Sequence, residues 1–105
     1  MEGDDDMIRG TTPDLEFELP FDTALLAEAY VSFAQGGGVR VERALADCTA
    51  EGNKISFRLT QEETLRLRSD VMTEIQIRVK TKAGDSLASE IISEPVERIL
   101  KDGVI

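Results

Sequence analysis

Four stretches of the chain carry residue types that could do chemistry. Glu62 and Glu63 stand side by side, Cys48 is the single thiol, Gly36 to Gly38 run consecutively, and Asp4 to Asp6 close an acidic leader. Paired carboxylates suit general acid/base catalysis when they sit on separate elements and face a cleft. Adjacent residues of a helix point apart, so Glu63 is read as a capping residue. A nucleophilic cysteine needs a base and an electropositive setting. Cys48 lies between Asp47 and Thr49, and the chain holds no histidine, so it is read as structural. The glycine triplet lacks the Lys-Ser/Thr that completes a phosphate loop, and it is read as a hairpin turn. The leader aspartates could touch a divalent cation, but calcium takes roughly six or more oxygens in a shaped loop. No Asp-x-Asp-x-Asp-Gly pattern is present. Without histidine the commonest general base and metal ligand is missing, and one cysteine makes no structural zinc site. No catalytic, cofactor-binding or metal-ligating residue is assigned, and no cofactor is expected.

The surrounding pattern is that of strands. Leu15, Phe17 and Leu19 alternate with Glu16 and Glu18, which predicts a half-buried strand stopped by Pro20. Gly10 to Pro13 is read as an extended lead-in, since a proline biases its predecessor away from helix. Asp22 can cap a brief helical turn through Leu26. "EAYVSFAQ" predicts a strand with Ala29, Val31 and Phe33 on one face and Tyr30 on the other. Val39 and Val41 begin the returning strand, predicted to run to about Asp47. Glu51 to Asn53 turn the chain into "KISFRL", with Ile55, Phe57 and Leu59 inward. Thr60 and Glu63 form the Thr-x-x-Glu capping box, and one or two helical turns follow near residues 61–66 with Leu65 packed inward. "MTEIQIRVKT" is the clearest strand, with Ile75, Ile77 and Val79 inside and Glu74, Arg78 and Lys80 outside. "SLASEIIS" should return as its partner, and the tail should fray after Asp102. The expected core is Phe17, Leu19, Val31, Phe33, Ile55, Phe57, Leu59, Leu65, Ile75, Ile77, Val79 and Leu87. Six or seven short strands with one helical turn predict an all-β fold, an antiparallel immunoglobulin-like β-sandwich.

The chain has 105 residues, enough for one domain. Residues 1–6 read as a disordered acidic leader and 7–105 as the single β-sandwich domain, with Met7 as the expected natural start. The net charge is −9, and residues 1–6 supply four acids and no base. An acidic domain repels phosphate backbones, so neither nucleic acid nor a membrane surface is an expected partner. No apolar run approaches the length of a membrane span, and the leader lacks the basic and apolar regions of a signal peptide. One cysteine excludes an intrachain disulfide, which fits synthesis in the cytosol.

Four strings taken together resemble a known group. "MIRGTTPDLEFELPFD", "VSFAQ", "GNKISFRLTQEETLRL" and "IQIRVKTKAGDSLASEII" are similar to short proteins encoded in phages and prophages of Gram-positive (Firmicutes) gut bacteria. Members of that group begin with Met-Ile-Arg-Gly-Thr-Thr-Pro. They carry a Phe/Tyr-Ala-Gln strand end, a Leu-Thr-Gln-Glu-Glu/Asp-Thr turn and a Gly-Asp-x-Leu-x-Ser hairpin. The resemblance runs from Met7 to about Val96. It implies the tail or baseplate of a phage particle, with small β-sandwich modules similar in kind to the N-terminal domain of upper baseplate proteins. It brings no catalytic residues.

The expected function is therefore a non-enzymatic structural or adaptor protein of the virion, made in the bacterial cytoplasm. It would act by protein–protein docking with other phage structural proteins or by self-association, through edge-strand pairing or face packing. The strands Leu15–Leu19 and Ser86–Ser93 are the expected sheet edges. The alternative is a module binding the host surface, glycan included, although one tyrosine and no tryptophan give it little aromatic platform. A small-molecule ligand is not expected.

Overall fold

The computed structural model describes residues 7–105. The leader, and the disorder expected of it, lie outside the described residues. β1 (Asp14–Glu18) follows the predicted alternation, with Leu15 and Phe17 inward. Asp22 accepts the Ala24 N–H at 2.8 Å and opens a short 3-10 turn over Thr23–Leu25. β2 (Leu26–Gln35) buries Ala29, Val31, Phe33 and Gln35 and turns Tyr30 outward. Gly36 and Gly37 then make a two-residue turn with φ of 59° and 83°. Both central residues of such a hairpin turn need positive φ, which glycine reaches without a Cβ clash.

β3 (Gly38–Ala44) ends before the predicted Asp47. Asp47 folds back to accept the Ala44 N–H at 3.3 Å, and a 3-10 turn at Leu45–Asp47 carries the chain into the other sheet. The segment expected to finish β3 thus supplies a turn and an extra short strand, β4 (Thr49–Glu51), paired with β5 (Lys54–Arg58). After β5 the capping box forms as predicted. Thr60 Oγ1 accepts the Glu63 N–H at 3.1 Å, and Glu63 Oε1 accepts the Thr60 N–H at 2.9 Å. It starts α1 (Gln61–Leu65). The inward residues here are Thr64 and Leu67, while Leu65 is only half-buried, contrary to expectation. The helix stops after one turn, so the residue just beyond it reaches the core.

β6 (Thr73–Thr81) is the strand its sequence predicted. Its partner is not one strand but two, β7 (Ser86–Ala88) and β8 (Ile92–Glu94). Ser89 explains the break. Its backbone N–H bonds Ile77 O at 2.8 Å, and its hydroxyl accepts the Ile77 N–H at 3.0 Å. A side chain takes a ladder position, and an extra residue bulges out before Ile92 meets Ile75. The tail does not fray after Asp102: Asp102 pairs with Arg9 at 3.0 Å, and Ile105 and Gln61 exchange two hydrogen bonds.

The sheets run β1-β5-β4 and β3-β2-β6-β7, with β8 further along β6. Every ladder between named strands is antiparallel. That is the order of immunoglobulin strands B-E-D against C′-C-F-G, an all-β sandwich. The eight named strands fill seven positions, because β7 and β8 share one. Among the described residues the position of strand A holds only a single parallel bridge, Ile8 to Glu97. β1 and the β7/β8 pair lie at sheet edges, as expected.

One core fills the space between the sheets. Phe57 of the first sheet stacks on Phe17, with centroids 5.9 Å apart, and takes Phe33 of the second sheet edge-on at 6.2 Å. Of the expected core only Leu65 and Leu87 fail. Leu87 is 46% exposed because, among the described residues, no strand of the first sheet covers it. Replacing Phe57 by alanine should destabilise the domain by about 3–5 kcal/mol. A urea melt reads this directly, and a midpoint close to that of the unaltered chain would show that the ring does not join the sheets.

Candidate functional site

The residues singled out for chemistry do not converge. Glu62 is exposed, while Glu63 turns to Arg43. Cys48 donates from Sγ to Ala44 O at 3.3 Å, and burial pushes its thiol pKa up against the opposing pull of Arg43. A protonated, carbonyl-bonded thiol is a poor nucleophile. Gly36 and Gly37 are the hairpin turn. Gly10 has φ of 75°, and a Cβ there would meet Ile99 Cδ1 at 2.9 Å. The stretch it belongs to is a packed joint as well as a lead-in: Arg9 donates to Leu65 O and Leu67 O at 3.0 and 3.1 Å, and Thr64 Oγ1 donates to Thr11 O at 2.9 Å. Among the described residues no cluster of histidine, cysteine, aspartate or glutamate is placed to hold a metal.

The strongest electrostatic feature ties the two sheets together. Arg43 on β3 grips both carboxylate oxygens of Glu63 on α1 and donates to Arg58 O at 2.9 Å. Its guanidinium lies 5.5 Å from the centre of the Phe57 ring, within cation–π range. Burial tends to raise the Glu63 pKa, but bonds from Arg43 and from the Thr60 N–H outweigh it and hold the carboxyl below its ordinary value. The same hydrogen bonding, donated to Glu63, raises the Arg43 pKa.

The accessible apolar surface lies elsewhere, on the open side between β1 and β7. Leu19, Pro20 and Phe21 form one wall of a groove of about 250 Å³. Leu87 and Ala88 form the other, and Ile77 and Val79 lie at its base. Further along the same edge Ile91 and Ile92 are 56% and 36% exposed. Register fixes which way these side chains face. Leu87 stands opposite Val79, and Ile92 opposite Ile75. Directly opposed residues share a sheet face, and both partners are buried, so Leu87 and Ile92 belong to the inner face yet remain in solvent. A three-stranded sheet packs against four strand positions, and the fourth overhangs.

No protein-family model, curated protein or solved structure matches the chain.

A second, polar depression of about 170 Å³ lies on the outer face of the second sheet. Tyr30, Glu28, Arg78, Lys80 and Ser86 line it, and the Tyr30 hydroxyl donates to Glu28 Oε1 at 3.0 Å. That bond, with the nearby charge of Glu28, raises the tyrosine pKa. Arg78 and Lys80, read from sequence as an interaction face or a solvated one, thus share a hollow with the one tyrosine. Glu74 does not line it. Both hollows are smaller than the roughly 300–1,000 Å³ of pockets that enclose drug-sized ligands. The groove offers apolar docking area, and the depression a charged surface with one aromatic ring.

Sequence reading missed the overhang because it treated residues 86–93 as one regular strand. Consecutive Ile91 and Ile92 were the available signal: strict alternation from Leu87 turns Ile91 inward, and one extra residue moves that place to Ile92.

The Arg43–Glu63 pair makes stability depend on acid in a defined way. With its folded pKa below the ordinary 4.5, Glu63 contributes fully above that value, and the contribution is lost as pH falls through the folded pKa. Glu63→Gln keeps an acceptor for the cap and removes the charge. It should lower stability by about 1–3 kcal/mol at pH 7, and the gap from the unaltered chain should narrow as pH falls below the ordinary 4.5 and through the folded pKa. Urea melts of both chains at pH 7 and along a series of acid pH values check this.

Proposed function

We propose that this domain is a non-enzymatic structural or adaptor module of a phage or prophage tail or baseplate, acting by protein–protein docking. The observation that carries the docking reading is the uncovered apolar edge: Leu87 and Ile92 on the inner face yet in solvent, with Leu87 lining the Leu19–Phe21 groove. Contiguous exposed apolar surface of this kind marks interaction sites. The sequence resemblance to short phage proteins supplies the particle context. In that context the chain is made in the bacterial cytoplasm and assembled into the virion.

A second reading, a module for host-surface glycan, is favoured by one feature. Tyr30 is 39% exposed in a depression that also holds Arg78, Lys80 and Glu28, and a ring with flanking polar groups can stack on a sugar. The apolar edge has the larger accessible apolar area and gives the docking reading precedence.

Particles purified from an induced lysate should contain the chain in the tail or baseplate fraction, and a Leu87→Glu/Ile92→Glu chain should be lost from it. Detection by mass spectrometry checks both. A chain absent from particles overturns the proposal. A glycan array should stay blank, and a hit abolished by Tyr30→Ala would transfer the assignment to the second reading.

A further inference from the structure

The overhang defines more than a sticky edge. β1 bonds β5 through Leu15, Phe17 and Leu19, as the flanking bonds Leu19 N–H to Asn53 O and Leu59 N–H to Pro13 O require. The backbone groups of Glu16 and Glu18 therefore point to the other edge of β1. Among the described residues no strand pairs there. In the immunoglobulin order this edge is the place of strand A. A strand seated on it would extend the first sheet from three strands to four and would lie over the inner faces of Leu87 and Ile92. The groove between Leu19–Phe21 and Leu87–Ala88 is the mouth of that lane.

We infer that a partner protein docks by adding one extended strand to the outer edge of β1 at Glu16 and Glu18, with apolar side chains at alternate positions turned onto Leu87 and Ile92 and basic side chains between them. This rests on the docking reading and names the partner's chemistry. The alternate apolar positions follow from the strand period of two over an apolar inner face. The basic positions follow from charge. The solvent side of β1 presents Glu16 and Glu18, and exposed acids Asp22 and Glu90 flank the groove residues Phe21 and Ser89 in sequence. Opposite charges across neighbouring strands are favourable and like charges unfavourable. A second copy pairing β1 to β1 would set Glu16 and Glu18 against their own kind. Residues 2–6 are Gly and acids, with no apolar side chain to alternate.

The probe is a nine-residue peptide alternating valine with lysine and threonine, joined by a Gly/Ser linker ahead of the full chain, so that effective concentration and not bare affinity drives pairing. Amide exchange is read by NMR. Glu16 and Glu18 should exchange at least tenfold more slowly than in the unfused chain, and the Leu87 and Ile92 methyl signals should shift. A fused peptide with proline at its centre, or with glutamate for lysine, should protect less. Glu16→Pro should abolish the effect, since it removes an edge N–H and leaves the β5 ladder intact. Should that variant fold poorly, Leu87→Asp at an exposed site should weaken the protection instead. Unchanged exchange at Glu16 and Glu18 overturns the inference, and so does equal protection by the proline and glutamate peptides. Protection already present in the unfused chain and lost on deleting residues 1–6 also overturns it, assigning the edge to this chain's own leader. Particles that hold the chain while its β1 edge stays unprotected overturn strand addition alone. Particles lacking the chain overturn the docking reading itself.

Discussion

The sandwich depends on what happens at one ring. Phe57 leaves the first sheet, stacks on its neighbour Phe17 and receives Phe33 edge-on from the second. Arg43 covers the ring, and Glu63 and Arg58 O hold the guanidinium in place. Each contact is ordinary in size. Together they make a charged lid on an apolar joint, and the lid is assembled from both sheets and α1. A guanidinium this close to a ring needs partners for its donors, or its desolvation would outweigh the contact. Glu63 meets that need while capping the helix, so sheet packing and helix formation stand or fall together.

Other polar side chains act in the same way at the remaining corners. Gln35 is buried at the end of β2 yet fully bonded: its amide accepts the Arg68 N–H at 2.8 Å and donates to Arg68 O at 2.8 Å and Thr73 Oγ1 at 3.0 Å. It fastens the β5–β6 crossing to the opposite strand. Arg9 closes the end of α1, Thr64 fastens α1 to the lead-in, and Ser89 rebuilds a broken ladder. These residues all lie in the four strings quoted together from the sequence. Their local roles are structural.

Most of the fold was legible because alternation is a strong signal where one face is buried. β1, β2, β5 and β6 carry it cleanly, and the capping box announced α1. The failures have specific causes. Asp47 bonding back to Ala44 outweighed the run of strand-like residues after β3. Leu65 lost its inward place because the helix is one turn long. Leu87 alternates correctly and faces the right way, but periodicity reports a face and cannot report whether anything covers it. The candidate docking site falls in that blind spot, since it consists of correctly phased residues lacking a neighbour. The free ends were equally hidden, because Arg9–Asp102 and Gln61–Ile105 are contacts between residues far apart in the chain.

Those end contacts have a geometric consequence. Arg9, Asp102 and Ile105 all gather at the pole of the sandwich that holds α1. The Leu19–Phe21 groove opens near the other pole, where Leu19 bonds Asn53 and the β6–β7 turn lies. Polypeptide running on from Ile105 would leave from the pole opposite the groove. A segment carried there would leave the Leu19–Phe21 groove clear of it.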